Sequence, residues 1–227
     1  MTWGVLPIGL KLVLEGMDSG TITWYRFLMA AMVTAAFLAK SGNLPKARQL
    51  TRASAGLFVI AAAGLSGNYI CYLMGLDRMT VSSAQIVIQL GPLFLLLGSL
   101  IVFREPFSRV QGLGVAVLVV GMAMFFNQRL EELFGDLGDY AVGALLVSAA
   151  AAVWSFYALA QKQLLKSFSS GQILLVLYTT ALLTFTPMAR PATIADLNGL
   201  QLGMLLFCGV NAIVAYWCFT ESLAHWE

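Results

Sequence analysis

Charged side chains make up only 11% of this sequence, where a soluble domain usually carries about 25%. That scarcity excludes a chain whose whole surface faces water. Histidine occurs once, at His225 near the end, so no imidazole cluster is expected for metal binding or proton transfer. Cysteine is nearly as rare. Cys71, Cys208 and Cys218 lie in apolar runs without CxxC or Cys/His spacing, and an odd count argues against a disulfide framework. They read as buried helical thiols. No GxxxxGK[ST] run occurs, so no nucleotide loop is expected. A net charge of +2 is too small to point to nucleic acid. No cofactor and no metal are expected.

Apolar residues are what the chain has: 59%, with a mean hydropathy of +0.83. A membrane helix needs about 20 mostly apolar residues. Eight stretches qualify or come close: Met1 to Leu14, Gly20 to Ala39, Gly56 to Leu76, Ser83 to Phe103, Arg109 to Phe126, Ala141 to Gln161, Gln172 to Ala189 and Leu200 to Thr220. The first lacks a basic leader and a small-residue cleavage site, and it carries Lys11, so it reads as a helix rather than a signal peptide. The fold class expected is an all-α membrane protein, a polytopic helical bundle.

Basic residues set the orientation. With the amino end in the cytoplasm, the inside loops hold Lys40, Lys46, Arg48, Arg52, Arg104, Arg109, Lys162 and Lys166, and the outside loops hold Arg78, Arg129 and Arg190. The opposite placement would reverse the bias.

The chain also echoes itself. "TWGVLPIGLKLVLEGMDSG" resembles "VWSFYALAQKQLLKSFSSG", pairing Trp3 with Trp154 and Gly20 with Gly171 at an offset of 151. "YICYLMGL" resembles "YWCFTESL", pairing Tyr69 with Tyr216 at an offset of 147. The odd number of helices between the copies inverts the second relative to the first. Oppositely threaded repeats are a transporter device. The repeats expected are 1–126, with five helices, and 141–227, with three, joined by an external loop at 127–140. Two more helices are expected after Glu227, which would make ten.

These segments are similar to EamA-type transporters of the drug/metabolite transporter superfamily. "WGVLPIGLKLVLEG" resembles the family's first helix and "WYRFLMAA" the start of its second. "GPLFLLLGSLIVFREPFSRVQGLGVAVLVVGMAMF" resembles its most recognisable segment, a proline-bearing fourth helix, a Gly-Glu hinge and a glycine-rich fifth helix. Pro92, Glu105, Gln111, Gly112, Gly114 and Gly121 fall at those positions, and Arg104 stands where glycine is usual. The resemblance implies a ten-helix exporter or permease of metabolites, amino acids or drugs in the bacterial inner membrane.

Read from the residues, Pro92 is expected to bend the fourth helix, and Gly112 and Gly114 to admit a close neighbour. Polar groups at membrane depth either line a cavity or bond between helices. Asn68 and Tyr72 share one face of the third stretch, and Gln85 and Gln89 repeat that spacing on the fourth. Trp3, Trp154 and Tyr157 could stack on an amphipathic or cationic solute, or belong to an interfacial belt. Asn211 and Tyr216 are the further candidates. The expected partners are a small-molecule substrate and the lipid bilayer, and pairing of two chains stays open. The competing readings are a non-transporting scaffold and a membrane-embedded enzyme. The latter is weakened by the terminal histidine and the loop-bound acids.

Overall fold

The computed structural model describes residues 2–104, 106–127 and 138–225. Among them no strand occurs; the chain is helical. Among the described residues nine α-helices run in order: α1 Thr2–Leu14, α2 Ser19–Lys40, α3 Arg52–Leu76, α4 Val81–Val87, α5 Leu90–Val102, α6 Arg109–Asn127, α7 Asp139–Leu164, α8 Ser170–Phe185 and α9 Gly199–Ala224. Six stretches of the described residues are long and apolar enough to cross a membrane: α2, α3, α4 with α5, α7, α8 with its following turn to Met188, and α9. The protein is a polytopic helical membrane protein.

Local chemistry explains where helices begin. Asp18 accepts from the Thr21 amide at 2.9 Å and from its hydroxyl at 2.6 Å, capping α2. Ser169 with Gln172 caps α8, and Asn198 with Gln201 caps α9, each as a reciprocal capping box. Such caps satisfy amides that would otherwise face the lipid boundary unpaired. Burial alone would raise the Asp18 carboxyl. The Thr21 hydroxyl and amide, its own amide and the Arg190 charge outweigh that and hold it below its ordinary 3.8. Pro187 ends α8 early, so the last residues expected in the seventh stretch form a 3₁₀ turn, Thr186–Met188.

The fourth stretch is broken rather than bent, and the break precedes Pro92. Proline at position 92 cannot donate to the carbonyl of Ile88, and its ring crowds that carbonyl. The chain responds with tighter bonds, Gln89 N to Ile86 O at 3.1 Å and Gly91 N to Ile88 O at 2.9 Å. α4 therefore stops at Val87 and α5 restarts at Leu90.

Two compact units are formed. Unit 1 comprises residues 1–62 and 160–227; unit 2 comprises 63–159. In unit 1, α2 and α8 run antiparallel. Arg190 N donates to Thr21 Oγ1 at one end (2.8 Å), and Gln172 Nε2 donates to Asn43 O at the other (3.2 Å). Thr21 and Arg190 thus share an end, as do Asn43 and Gln172. Phe27 lies between Tyr178 and Phe185 at ring-centroid distances of 6.0 and 6.3 Å. Also antiparallel are α1 and α9: Gly9 faces Cys208, and Gly16 faces Leu197 and Gln201.

In unit 2 the corresponding pair is α3 and α7. A methyl placed on Gly64 would stand 2.9 Å from Tyr157 Cβ, and one on Gly75 2.6 Å from Val147 Cγ2. The sequence offsets connect the two registers. They carry Gly9 to Ala160 and Cys208 back to Ala61. The observed pair Gly64 and Tyr157 lies three residues on along α3 and three back along α7, on the same antiparallel line.

The close approach expected at the fifth stretch is not there. Among the described residues, a methyl on Gly114 or Gly121 would meet nothing within 4 Å, and one on Gly112 meets only the Phe107 ring at 3.4 Å. Tight glycine contacts lie on other helices, Gly64 and Gly75 of α3 among them.

Arg104 has φ 55°, a left-handed conformation that costs an L-residue roughly 1–2 kcal/mol. Replacing it with glycine, the usual residue in the resembled family, should stabilise the protein by roughly 0.5–1 kcal/mol after the added unfolded-state freedom is subtracted. A melting temperature in detergent at or below that of the parent would contradict this. Glu105, the other hinge residue, lies outside the described residues.

Candidate functional site

Most of the residues singled out by sequence fall in unit 2. α3 supplies Asn68 and Tyr72, α4 supplies Gln85, and α7 supplies Trp154 and Tyr157. Gln85 Nε2 donates to Tyr72 Oη at 2.7 Å. Asn68 Nδ2 donates to Ala150 O on α7 at 2.9 Å. Trp154 lies against α5: a methyl on Gly91 would stand 3.1 Å from its Cε3. Its ring is 6.4 Å from that of Tyr157, tilted by 49°.

Asn68, Tyr72, Gln85 and Trp154 are half-buried. After the bonds above, the Tyr72 hydroxyl proton, Gln85 Oε1 and Asn68 Oδ1 remain available. Together they offer one donor and two acceptors on α3 and α4. Tyr157 has 0% exposure and sets the spacing between α3 and α7. It is a packing residue.

Gln89 takes a different place. It is exposed, and its Nε2 turns back to Gln85 O at 3.4 Å. The tightened turn sends the Gln89 amide to Ile86, so the side chain supplies the donor that this carbonyl would otherwise lack. Gln89 mends the backbone break; its side-chain hydrogen bond goes to Gln85 rather than to Tyr72 or Trp154. Pro92 is exposed beside it.

Asn211 and Tyr216 belong to unit 1, on the buried face of α9 at 4% and 5% exposure. Tyr216 meets Tyr178 edge-to-face at 6.2 Å, and the Tyr178 hydroxyl donates to Ala212 O at 3.4 Å. Trp3 lies in α1 of the same unit, but its side chain is outside the described residues.

Sequence reading missed one buried polar pair. Gln161, with 0% exposure, donates through Nε2 to Thr220 Oγ1 at 2.6 Å, and Thr220 donates to Tyr216 O at 2.7 Å. The signal was available as two polar residues inside apolar stretches, yet Gln161 was read as a helix end. Arg26 is likewise interior, 2% exposed, with Nε donating to Cys208 O at 3.3 Å.

The model of the EamA-like transporter family matches residues 1–127 and 141–227. The uncharacterized inner membrane transporter YhbE of Escherichia coli (strain K12) is 39% identical over 226 residues, 99% of this chain and 70% of that protein. An uncharacterized transporter of Haemophilus influenzae is 35% identical over 227 residues, 100% of this chain and 74% of that protein. One solved crystal structure matches with a TM-score of 0.70 at 20% identity, covering 98% of this chain and 75% of that one; this likeness shows the fold alone.

Proposed function

The chain belongs to the EamA-like transporter family, and from that premise we propose that it carries a small organic solute across the bacterial inner membrane by alternating access, as an exporter or permease. The observation that carries this reading is the half-buried wall of Tyr72, Gln85, Asn68 and Trp154 beside the α4–α5 break. Polar atoms left over at membrane depth are costly unless something occupies them. A discontinuous helix is where transporters of several folds hold their solutes.

The antiparallel α2–α8 pair and the matching registers of α1–α9 and α3–α7 support an inverted repeat with boundaries near 126 and 141. Such a repeat gives two access states of similar energy. The charge count supports an amino end in the cytoplasm. No nucleotide loop is present, so an ion gradient or the solute's own gradient would drive the flow.

A second reading has one observation in its favour. The Asn68–Ala150 and Gln85–Tyr72 bonds tie helices together, as a static membrane scaffold would require. Counterflow into proteoliposomes decides between them, using radiolabelled amino acids and organic cations as the panel. Protein-dependent, saturable exchange of at least one solute is expected. Vesicles with folded protein that exchange none of the panel faster than empty ones would favour the scaffold.

A further inference from the structure

We propose that unit 1 carries a binding cleft for organic ammonium ions, separate from the polar wall of unit 2. The cleft has a volume of about 440 Å³ and opens where the end of α2 meets the start of α8 and the last turns of α9. Phe37, Leu38, Asn43, Ser169, Trp217 and Glu221 line it.

Its chemistry is specific. Trp217 and Glu221 are four residues apart on α9, so they present one face. Phe37 meets Trp217 edge-to-face at 5.5 Å, which leaves aromatic surface beside the carboxylate. Glu221 is half-buried, and among the described residues no ion pair forms on it. His225 Nδ1 meets the backbone oxygen of Glu221, not its carboxylate. A half-buried carboxylate without an ion-pair partner among the described residues favours a cation brought by a ligand. Aromatic faces select an ammonium with an apolar body over a hydrated metal ion. The rim is braced, because Asn43 Nδ2 donates to Ser169 Oγ at 3.4 Å and Asn43 Oδ1 accepts from Gln172 Nε2 at 3.3 Å.

Glu221 is the sole acidic residue in the lining. The flanking segments carry Lys40, Lys46 and Lys166, which repel a cation, so selection rests on Glu221. This inference stands without the transport reading, since binding alone tests it.

The experiment is calorimetric titration of the purified protein in detergent with phenethylammonium chloride, and with neutral 2-phenylethanol as the isosteric control. Saturable binding of the amine is expected, with the alcohol at least about tenfold weaker. Glu221→Gln should weaken amine binding at least about tenfold and leave alcohol binding unchanged. It should melt like the parent, because the carboxylate makes no internal ion pair. Trp217→Leu should weaken both ligands. Equal affinity for amine and alcohol, unchanged affinity in folded Glu221→Gln, or no saturable binding to folded parent protein would each overturn the proposal.

Discussion

Replacing Gly64 with leucine is expected to abolish recovery of folded, monodisperse protein, and Gly64→Ala to lower its melting temperature clearly. A methyl at that position would stand 2.9 Å from Tyr157 Cβ, 3.0 Å from its amide nitrogen and 3.1 Å from its Cα. Two of those three atoms are backbone, which no rotamer change can move. Overpacking of this kind costs about 1–3 kcal/mol for one added carbon, against a helix-propensity gain near 1 kcal/mol. Leucine adds three more carbons along the same line, and its cost exceeds about 4 kcal/mol, a range reserved for core disruption. The control is Gly121→Ala, where the methyl meets nothing within 4 Å among the described residues. Freed of any clash, that variant keeps the helix-propensity gain and should melt about 2–4 °C above the parent. Size-exclusion profiles and melting curves in detergent give both readings. A well-behaved Gly64→Leu protein would refute the α3–α7 geometry.

Trp154→Ala should reduce solute exchange in proteoliposomes at least about tenfold, the loss of roughly 1.4 kcal/mol or more that a central aromatic contact typically supplies. The indole is the largest surface in the candidate wall, and it lies across Gly91 at the start of α5. Gly91→Leu attacks the same contact from the other side, because its side chain must enter the space the indole fills. Both variants should therefore lose exchange, one by removing the ring and the other by displacing it. Trp154→Phe keeps a flat apolar face and should retain an intermediate rate. Gln89→Ala should instead act on stability, since that side chain serves the Gln85 carbonyl. Exchange by Trp154→Ala at the parental rate would remove the wall from the solute's path.

Much of the fold was legible because lipid imposes long apolar stretches, and their ends carry their own chemistry. Stretches read as starting at Gly20, Gln172 and Leu200 begin at Ser19, Ser170 and Gly199, where Asp18, Ser169 and Asn198 cap them. The break before Pro92 was legible in kind but not in place, because the proline acts four residues upstream on the Ile88 carbonyl. Helix–helix contacts were the least legible. Gly112 and Gly114 were read as points of close approach, while tight contacts fall at other glycines, Gly64 and Gly75 among them, which a glycine count does not distinguish. Within the candidate site, the shared face of Asn68 and Tyr72 followed from helical spacing. The Tyr72–Gln85 bond did not, because it joins two helices whose angle no sequence pattern specifies. Gln89, spaced like a wall residue, was drawn to the broken backbone by a carbonyl that only the structure reveals.

The line of glycines on α3 has a mechanical corollary. Gly64, Gly67 and Gly75 each receive a residue of α7 or its backbone, so the two helices mesh like a keyed shaft. Sliding by one residue, a step of about 1.5 Å, would bring a side chain of α3 onto the Tyr157 backbone. Any travel of α3 past α7 is therefore barred in small increments, and what the joint leaves free is pivoting about the glycine seam.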